Sequence, residues 1–278
     1  CSVKALPMIT AADKRLSLPE AAALIQSGQT LALGGNMLYR RPVAFVYELL
    51  RRSQPPTDLT LLCFTAGYES DLLVGAGCVS RTRTCYFGLE AFGLAPMFTA
   101  AASAGTVRVI EETEASIAFG LRARLAGVGF MPSTAWLGTD LLTLRPDVKT
   151  ITDPYSDETL VAFPALSCDV AVIHALVADR RGNARLNKNL GVDPELSGVA
   201  DTVIVTAEEI VERLSSDVDL PGTLVTAVVH APHGAWPTSA YPLYPVAGGE
   251  LLRYVEACAE GNFAAYLNDV LQRRLSPS

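Results

Sequence analysis

A glycine-rich loop after a predicted strand is the first segment whose residue types suggest chemistry. An apolar run ends at Gly34, Gly35 and Asn36, and a helix is predicted shortly afterwards. Glycines at such a turn let the backbone approach a ligand closely and direct N–H groups at an oxyanion or a phosphate. Arg40 and Arg41 would add positive charge nearby. A tight turn with no ligand explains the same residues equally well.

A cluster of acidic residues opens another predicted helix. Glu111, Glu112 and Glu114 follow the predicted strand 107–110 and begin the helical pattern of 113–126. Carboxylates in a first helical turn interact favourably with the helix dipole, which is a sufficient structural explanation. The functional alternative is that Glu114 faces a crevice at the strand ends as a carboxylate with a raised pKa.

Two further turns allow the same pair of interpretations. Gly138 lies in the predicted loop 130–140, and Gly182 and Asn183 follow the apolar run 169–177. Glycine and asparagine are common in ordinary turns, which explains these residues without a ligand. Because the turns lie in loops between predicted elements, they are also candidate loops of a binding site.

The three histidines do not indicate a metal site or a general base. His174 lies inside an apolar predicted strand, where a packed and hydrogen-bonded side chain is expected. His230 and His233 flank a proline in a loop-like segment, and we expect structural roles for them. The sequence motifs of P-loop, dinucleotide-binding, zinc-protease and serine-hydrolase sites are absent. We therefore expect no metal and no tightly bound cofactor.

Composition excludes several classes of protein. The 278 residues carry a net charge of −7, so nucleic acid and anionic membrane surfaces are not expected as partners. The sequence has no uninterrupted apolar run of the length that spans a bilayer. A mean hydropathy of +0.28 indicates strands buried on both faces and apolar surface that a second chain could cover. The six cysteines form no C-x-x-C pair, so we expect buried, reduced thiols and a cytoplasmic location.

The predicted elements alternate between strands and helices. Strands are predicted at 30–33, 59–65, 83–87, 107–110, 148–151, 160–166, 169–177, 202–205 and 224–230. Helices are predicted at 17–26, 43–52, from 96, at 113–126, after a capping box at 206–209, and within 249–274. This order predicts an α/β fold with an open, mainly parallel, doubly wound sheet, whose ligands lie at the carboxyl ends of the strands. We expect a single domain over 1–278, with 1–14 as a poorly ordered extension and Met8 as a possible natural start.

Nine short segments link these loops to a known family. In order they are Gly34-Gly35 with Arg41-Pro42, LLVGAGCV (72–79), GLEAFGLAP (88–96), GLRARLAGVGFMP (120–132), LGTD (137–140), DPY (153–155), FPAL (163–166), ADRRGN (178–183) and VIVTAEEIV (203–211). Together they resemble the A (alpha) subunit of the two-subunit coenzyme A transferases, and most closely the glutaconate CoA-transferase-like branch. The resemblance extends from about residue 15 to 255.

The resemblance implies a fold shared with sugar-phosphate isomerases and a homologous B (beta) subunit as partner. It implies coenzyme A as substrate, moved between an acyl-CoA and a carboxylic acid such as glutaconate or 3-oxoadipate. In this family a Glu of the B subunit is the nucleophile, and its Gly-flanked motif is absent from this chain. The resemblance places Gly34, Gly35 and Asn36 near the acyl group, where N–H groups would hold an oxyanion. Arg40, Arg41, Gly138, Gly182 and Asn183 complete the predicted substrate- and CoA-binding set.

Two alternatives stay open. Glu114 matches a position that is acidic in some relatives, among them hydrolases that cleave carbon–carbon bonds in CoA esters of steroid-ring fragments, so Glu114 is a tentative acid/base of such a hydrolase. A non-enzymatic ligand-binding descendant is the other alternative. Trp236 and the stretch Asn187-Lys188-Asn189 depart from the family pattern.

Overall fold

The computed structural model describes residues 13–273. Cys1, Met8 and almost all of the predicted N-terminal extension lie outside the described residues. The strands are β1 (Arg15–Leu16), β2 (Thr30–Leu33), β3 (Leu59–Ala66), β4 (Val79–Phe87), β5 (Arg108–Glu111), β6 (Phe130–Ser133), β7 (Lys149–Thr152), β8 (Thr159–Pro164), β9 (Cys168–Asp179), β10 (Ala184–Arg185), β11 (Ala200–Val211) and β12 (Ala227–His230).

The helices lie between these strands and after the last of them. They are α1 (Leu18–Ala22), α2 (Val43–Arg51), α3 (Tyr68–Gly75), α4 (Pro96–Ser103), α5 (Glu114–Leu125), α6 (Leu141–Leu144), α7 (Asp193–Val199), α8 (Gly248–Ala259) and α9 (Phe263–Gln272), with a short 3-10 helix at Glu90–Phe92. Within residues 13–273, no helix combines the length and the apolar character needed to cross a bilayer.

The large sheet has the strand order β1-β12-β11-β9-β2-β3-β4-β5, and all these neighbours are parallel. The short β10 pairs antiparallel with β9. The chain runs outward from β2 to β5 and later returns to β9, on the other side of β2. The order therefore reverses between β2 and β9, and in such sheets the crevice at this reversal is where ligands bind. The predicted mainly parallel, doubly wound α/β sheet is confirmed.

Helices cover both faces of this sheet. Apolar side chains of α1 to α4, α8 and α9 pack on one face in a core cluster that includes Phe45, Leu72 and Leu251. Helices α5 and α7 pack on the other face through residues such as Leu121 and Leu196. A smaller antiparallel sheet, β6-β8-β7, has its own core around Trp136 and Phe163.

Three sequence-based expectations about elements were wrong. The predicted loop 130–140 begins with β6, which pairs with β8. The predicted capping box at 206–209 lies inside β11, where the Thr206 and Glu208 side chains bind His174 instead of helix amides. The predicted helix 17–26 ends at Ala22, although its capping box between Ser17 and Glu20 is present. Helix α3 and helix α7 were not predicted.

Candidate functional site

The loop after β2 lies at the reversal of strand order, and its backbone amides are already bonded within the chain. The amide of Gly34 donates to the Val172 carbonyl at 2.9 Å. The amide of Gly35 donates to Oδ1 of Asp193 at 2.9 Å, and that of Asn36 to the Tyr39 carbonyl at 3.1 Å. In this arrangement the three N–H groups are satisfied within the chain, and their contact with an oxyanion stays a prediction.

The two glycines are explained by close approach of other chain segments. Gly35 has φ +85°, and a Cβ there would lie 2.6 Å from the Tyr39 carbonyl oxygen. A Cβ on Gly34 would lie 2.8 Å from Oδ1 of Asp193. Both positions exclude any larger residue. The pair makes a tight turn that brings α7 against β2.

The guanidinium groups of Arg40 and Arg41 are fully buried and paired with carboxylates. Arg40 Nη1 lies 2.7 Å from Oδ2 of Asp193. The same nitrogen donates to the carbonyl of His174, a residue of β9, at 3.0 Å. Arg41 Nη2 lies 2.5 Å from Oε1 of Glu69. Burial opposes the charge on Arg41, but the Glu69 carboxylate outweighs it and raises the pKa of Arg41. Both arginines hold the loop in place, and neither offers a charge to a ligand in this arrangement.

A groove of about 990 Å³ opens beside this loop. Its lining includes Tyr39, Leu176, Asn187, Lys188, Asn189 and Tyr241. The side-chain Nδ2 of Asn36 donates to Oδ1 of Asn189 at 2.8 Å, and Arg40 Nε donates to Oδ1 of Asn187 at 2.9 Å. The loop after β2 therefore forms one wall of the groove through side chains instead of backbone amides. No motif in the sequence points to Tyr39, and the stretch Asn187-Lys188-Asn189 is visible there only as a departure from the family pattern.

Glu114 is exposed at the first position of α5. Thr113 caps this helix in a reciprocal pair with Ser116, and the Trp136 indole donates to Thr113 Oγ1 at 2.8 Å. This contact brings the turn after Trp136 to the N-terminal end of α5. Gly138 lies in that turn and is exposed. Glu114 and Gly138 thus belong to one region of the surface at the carboxyl end of β5.

Glu112 differs from Glu114 because it is buried. Its Oε1 accepts from Arg83 Nε at 2.5 Å and from Arg145 Nη1 at 2.9 Å. Its Oε2 accepts from Ser116 Oγ. Two cations and a hydroxyl fix this carboxylate, which makes it a structural anchor for the start of α5.

Cys85 lies on β4 near Glu114. Burial, followed by the negative charge of Glu114, raises the pKa of the Cys85 thiol to about 12. The thiol donates to the Phe64 carbonyl at 2.7 Å. Both the raised pKa and this hydrogen bond favour the neutral thiol over the reactive thiolate. The five cysteines within residues 13–273 are all free thiols, of which Cys85 and Cys258 are partly exposed.

Gly182 and Asn183 form the turn between β9 and β10, away from the loop after β2. Gly182 has φ +95°, and Asn183 donates from its side chain to Oδ2 of Asp179 at 2.8 Å. Asn183 Oδ1 accepts the amide of Gly222 at 2.9 Å. At about 3.3 Å per residue, β9 extends roughly 20 Å from the level of Gly34 to this turn. The structure does not bring these two residues together with the Gly34 loop.

A polar network surrounds His174, which is completely buried. Its Nδ1 lies 2.9 Å from Thr206 Oγ1, and its Nε2 lies 2.8 Å from Oε1 of Glu208. Burial raises the pKa of Glu208, but the hydrogen bond from His174 and that from Tyr244 outweigh burial and lower it. His174 is therefore packed and hydrogen-bonded, as its position in an apolar strand predicts. Within residues 13–273, no group of three or more His, Cys, Asp and Glu side chains is arranged to hold a metal ion.

Comparison with known proteins identifies the family. The Coenzyme A transferase family model matches residues 15–231, so the chain belongs to this family. It is 36% identical over 258 residues to the "Cholesterol ring-cleaving hydrolase IpdA subunit" of Rhodococcus jostii, covering 85% of this chain and 84% of that protein.

Two solved structures show the same fold. A variant of the decarboxylase AibA/AibB superposes with a TM-score of 0.87 at 34% identity, covering 93% of this chain and 98% of that chain. The glutaconate coenzyme A-transferase of Acidaminococcus fermentans superposes with a TM-score of 0.85 at 31% identity, covering 92% and 88%. The resemblance seen in the sequence is confirmed, and the related proteins carry the names of three different activities.

Proposed function

We propose that this chain is the A subunit of a two-subunit enzyme that moves CoA between an acyl-CoA and a carboxylic acid. The observation that supports this most is the state of its buried carboxylates. Asp193, Glu69 and Glu112 lie around the carboxyl ends of the strands and are each bound to arginine. The other two buried carboxylates within residues 13–273, Asp71 and Asp179, accept hydrogen bonds from backbone amides and from the side chains of Tyr254 and Asn183. A buried carboxylate held in this way is a poor nucleophile, so the attacking Glu is assigned to a homologous B subunit.

In such a transferase the transfer of CoA proceeds through two covalent intermediates. The partner's carboxylate attacks the acyl-CoA carbonyl and expels the CoA thiolate, which leaves a mixed anhydride. The thiolate attacks the glutamyl carbonyl of the anhydride, releases the acyl group as a carboxylate and leaves a glutamyl-CoA thioester. An acceptor carboxylate reverses these steps and leaves as the new acyl-CoA. Each intermediate keeps the activation of the donor ester.

The groove beside Tyr39 supports an acyl group that bears a second polar end. Lys188 and Arg185 line it together with the side-chain amides of Asn187 and Asn189, and Asp217 and Asp219 lie on the same lining. Cations and amide N–H groups are suited to a carboxylate or an oxo group. We therefore propose a dicarboxylate or oxo-acid, such as glutaconate or 3-oxoadipate, as the acyl component. The cytoplasmic location stays a prediction.

A hydrolase is the second candidate. The exposed position of Glu114 after β5 favours it, together with the 36% identity to a protein named as a hydrolase subunit. In that reaction Glu114 would transfer a proton while water cleaves a cyclic or β-oxo acyl-CoA. General acid–base catalysis of this kind contributes roughly 10²- to 10⁴-fold.

Reconstitution separates the two reactions. The chain is co-expressed with its B-like partner, and acyl-CoA consumption is followed with and without a carboxylic acid acceptor. We expect consumption only when both the partner and the acceptor are present, with a new acyl-CoA as product. Consumption without an acceptor, yielding free CoA or a ring-opened CoA ester, would instead support the hydrolase. Equal turnover by the chain alone would contradict the A-subunit assignment.

A further inference from the structure

One oxygen of the Glu69 carboxylate has no hydrogen-bond partner among residues 13–273. Glu69 is the second residue of α3 and is completely buried. Its Oε1 accepts from Arg41 Nε at 2.9 Å, from Arg41 Nη2 at 2.5 Å and from Ser70 Oγ at 2.6 Å. All of these donors reach Oε1, and none reaches Oε2. A buried carboxylate oxygen that lacks a donor loses its hydration without compensation.

Oε2 of Glu69 borders a small space beside Gly67, the residue before α3. The atoms nearest to an ideal Cβ on Gly67 are the Met37 carbonyl oxygen at 3.6 Å, Glu69 Oε2 at 3.8 Å and the Gly88 carbonyl oxygen at 3.8 Å. All three are hydrogen-bond acceptors. Gly67 has φ −142° and ψ −144°, so its φ is not in the left-handed region that favours glycine. The three distances are ordinary contact distances, so the absent side chain leaves room for about one atom the size of a methyl group.

The three acceptors come from the carboxyl ends of three neighbouring strands. Met37 follows β2, Gly67 and Glu69 follow β3, and Gly88 follows β4. This edge of a parallel sheet is where ligands enter. Because Arg41 balances the charge of Glu69, the space favours a neutral N–H or O–H group over a second cation.

We propose that this space, the Gly67 cradle, receives one neutral hydrogen-bond donor of a bound acyl-CoA. The inference rests on the proposed function, because it takes the ligand to be a CoA ester. Two parts of such an ester carry suitable donors: a hydroxyl group on the acyl chain, or an amide N–H of the pantetheine arm. Both offer the same chemistry to Glu69 Oε2.

Substitution of Gly67 tests the cradle without disturbing the Glu69–Arg41 pair. Gly67→Ala places a methyl group in the space at ordinary contact distances. Gly67→Ser adds a hydroxyl that itself donates to the acceptors, so we expect it to be more thermostable than Gly67→Ala. Gly129→Ala is the matched control, because a Cβ there meets nothing within 4 Å and its φ is not positive.

Dissociation constants are measured by calorimetry on the complex with the B-like partner. The probes are unreactive thioether analogues of glutaryl-CoA and 3-hydroxyglutaryl-CoA. We expect both Gly67 variants to weaken binding at least tenfold and Gly129→Ala to change it less than twofold. Weakening confined to the hydroxylated analogue assigns the donor to the acyl chain, and equal weakening of both assigns it to pantetheine.

Two results would overturn the assignment in distinguishable ways. If the parent complex binds both analogues and the Gly67 variants bind them equally well, the cradle holds water only and the inference is wrong by itself. If the parent complex binds neither analogue, the proposed function fails and the cradle assignment fails with it.

Discussion

The carboxylate of Asp193 accepts the Gly35 amide, 158 residues away in sequence, and also binds Arg40 at 2.7 Å. One side chain of α7 thereby fixes both the turn after β2 and the arginine that reaches across to β9. Asp193 and the Arg40 guanidinium are almost completely buried. The wall of the groove depends on this pair.

We predict that Asp193→Asn strongly destabilises the chain. Removing one partner leaves the Arg40 charge buried without compensation, which costs about 3–5 kcal/mol. The check is the free energy of unfolding from urea denaturation. Glu195→Gln on the same helix is the control, because its ion pair with Arg122 is long and exposed and should contribute less than about 1 kcal/mol. Equal effects of the two substitutions would show that Asp193 does not organise the turn.

Gly35→Ala should also lower stability, by more than about 2 kcal/mol. The new Cβ would lie 2.6 Å from the Tyr39 carbonyl oxygen at a residue with positive φ, so steric overlap adds to backbone strain. Thermal unfolding of the variant, compared with Gly129→Ala, measures this. A fully stable variant with impaired turnover would contradict the structural explanation and restore direct ligand contact by this loop.

For Glu114→Gln, assayed with the partner present, we predict a loss in kcat of less than about tenfold. In the proposed transferase the partner's Glu would perform the covalent chemistry, so Glu114 would take no part in a bond-forming step. Glu111→Gln, which alters another exposed carboxylate of the same segment, controls for charge alone. A loss of roughly a thousandfold in kcat, specific to Glu114, would instead identify it as a proton-transfer group.

The buried Asp71 gives a pH dependence of stability. Burial raises its pKa from 3.8 to about 6, although Tyr254 and the amides of Phe98 and Met97 donate to it. Between these two values the folded chain keeps a proton that the unfolded chain has released, so the free energy of unfolding falls as pH rises from about 4 to 6. The shift corresponds to about 3 kcal/mol.

Replacing Asp71 by Asn should remove this component. Urea denaturation at several pH values should show that the stability of the parent chain, relative to Asp71→Asn, declines across pH 4–6. Asp140→Asn, which alters an exposed carboxylate, should leave the profile unchanged. A parent profile that rises over this interval relative to Asp71→Asn would show that the carboxylate is stabilised by its donors more than it is penalised by burial.

Local patterns in the sequence predicted the elements that depend on local forces. The apolar runs gave the buried strands, and the turn at 34–36 was placed at a strand end because glycines follow an apolar run there. The Thr113–Ser116 cap lies inside the predicted helix 113–126. These features arise from neighbours in the chain, which a sequence displays directly.

Contacts between distant segments could not be predicted in the same way. Nothing near Asp193 in sequence indicates that it binds Gly35. From the sequence alone, the loop at 34–36 therefore looks like a source of free backbone amides. The segment Thr206 to Glu209 has the residue types of a helix cap, but pairing with β9 and the hydrogen bonds to His174 keep it in a strand. Tertiary hydrogen bonds outweigh local propensity at both places.

In the proposed transferase the covalent nucleophile belongs to a partner chain. The most direct measurement is the intact mass of both chains after the purified complex is incubated with an acyl-CoA donor and no acceptor. We predict that the partner gains the mass of one CoA thioester, which disappears on treatment with hydroxylamine, while this chain keeps its mass. A CoA adduct on this chain, or release of free CoA with neither chain modified, would contradict the account.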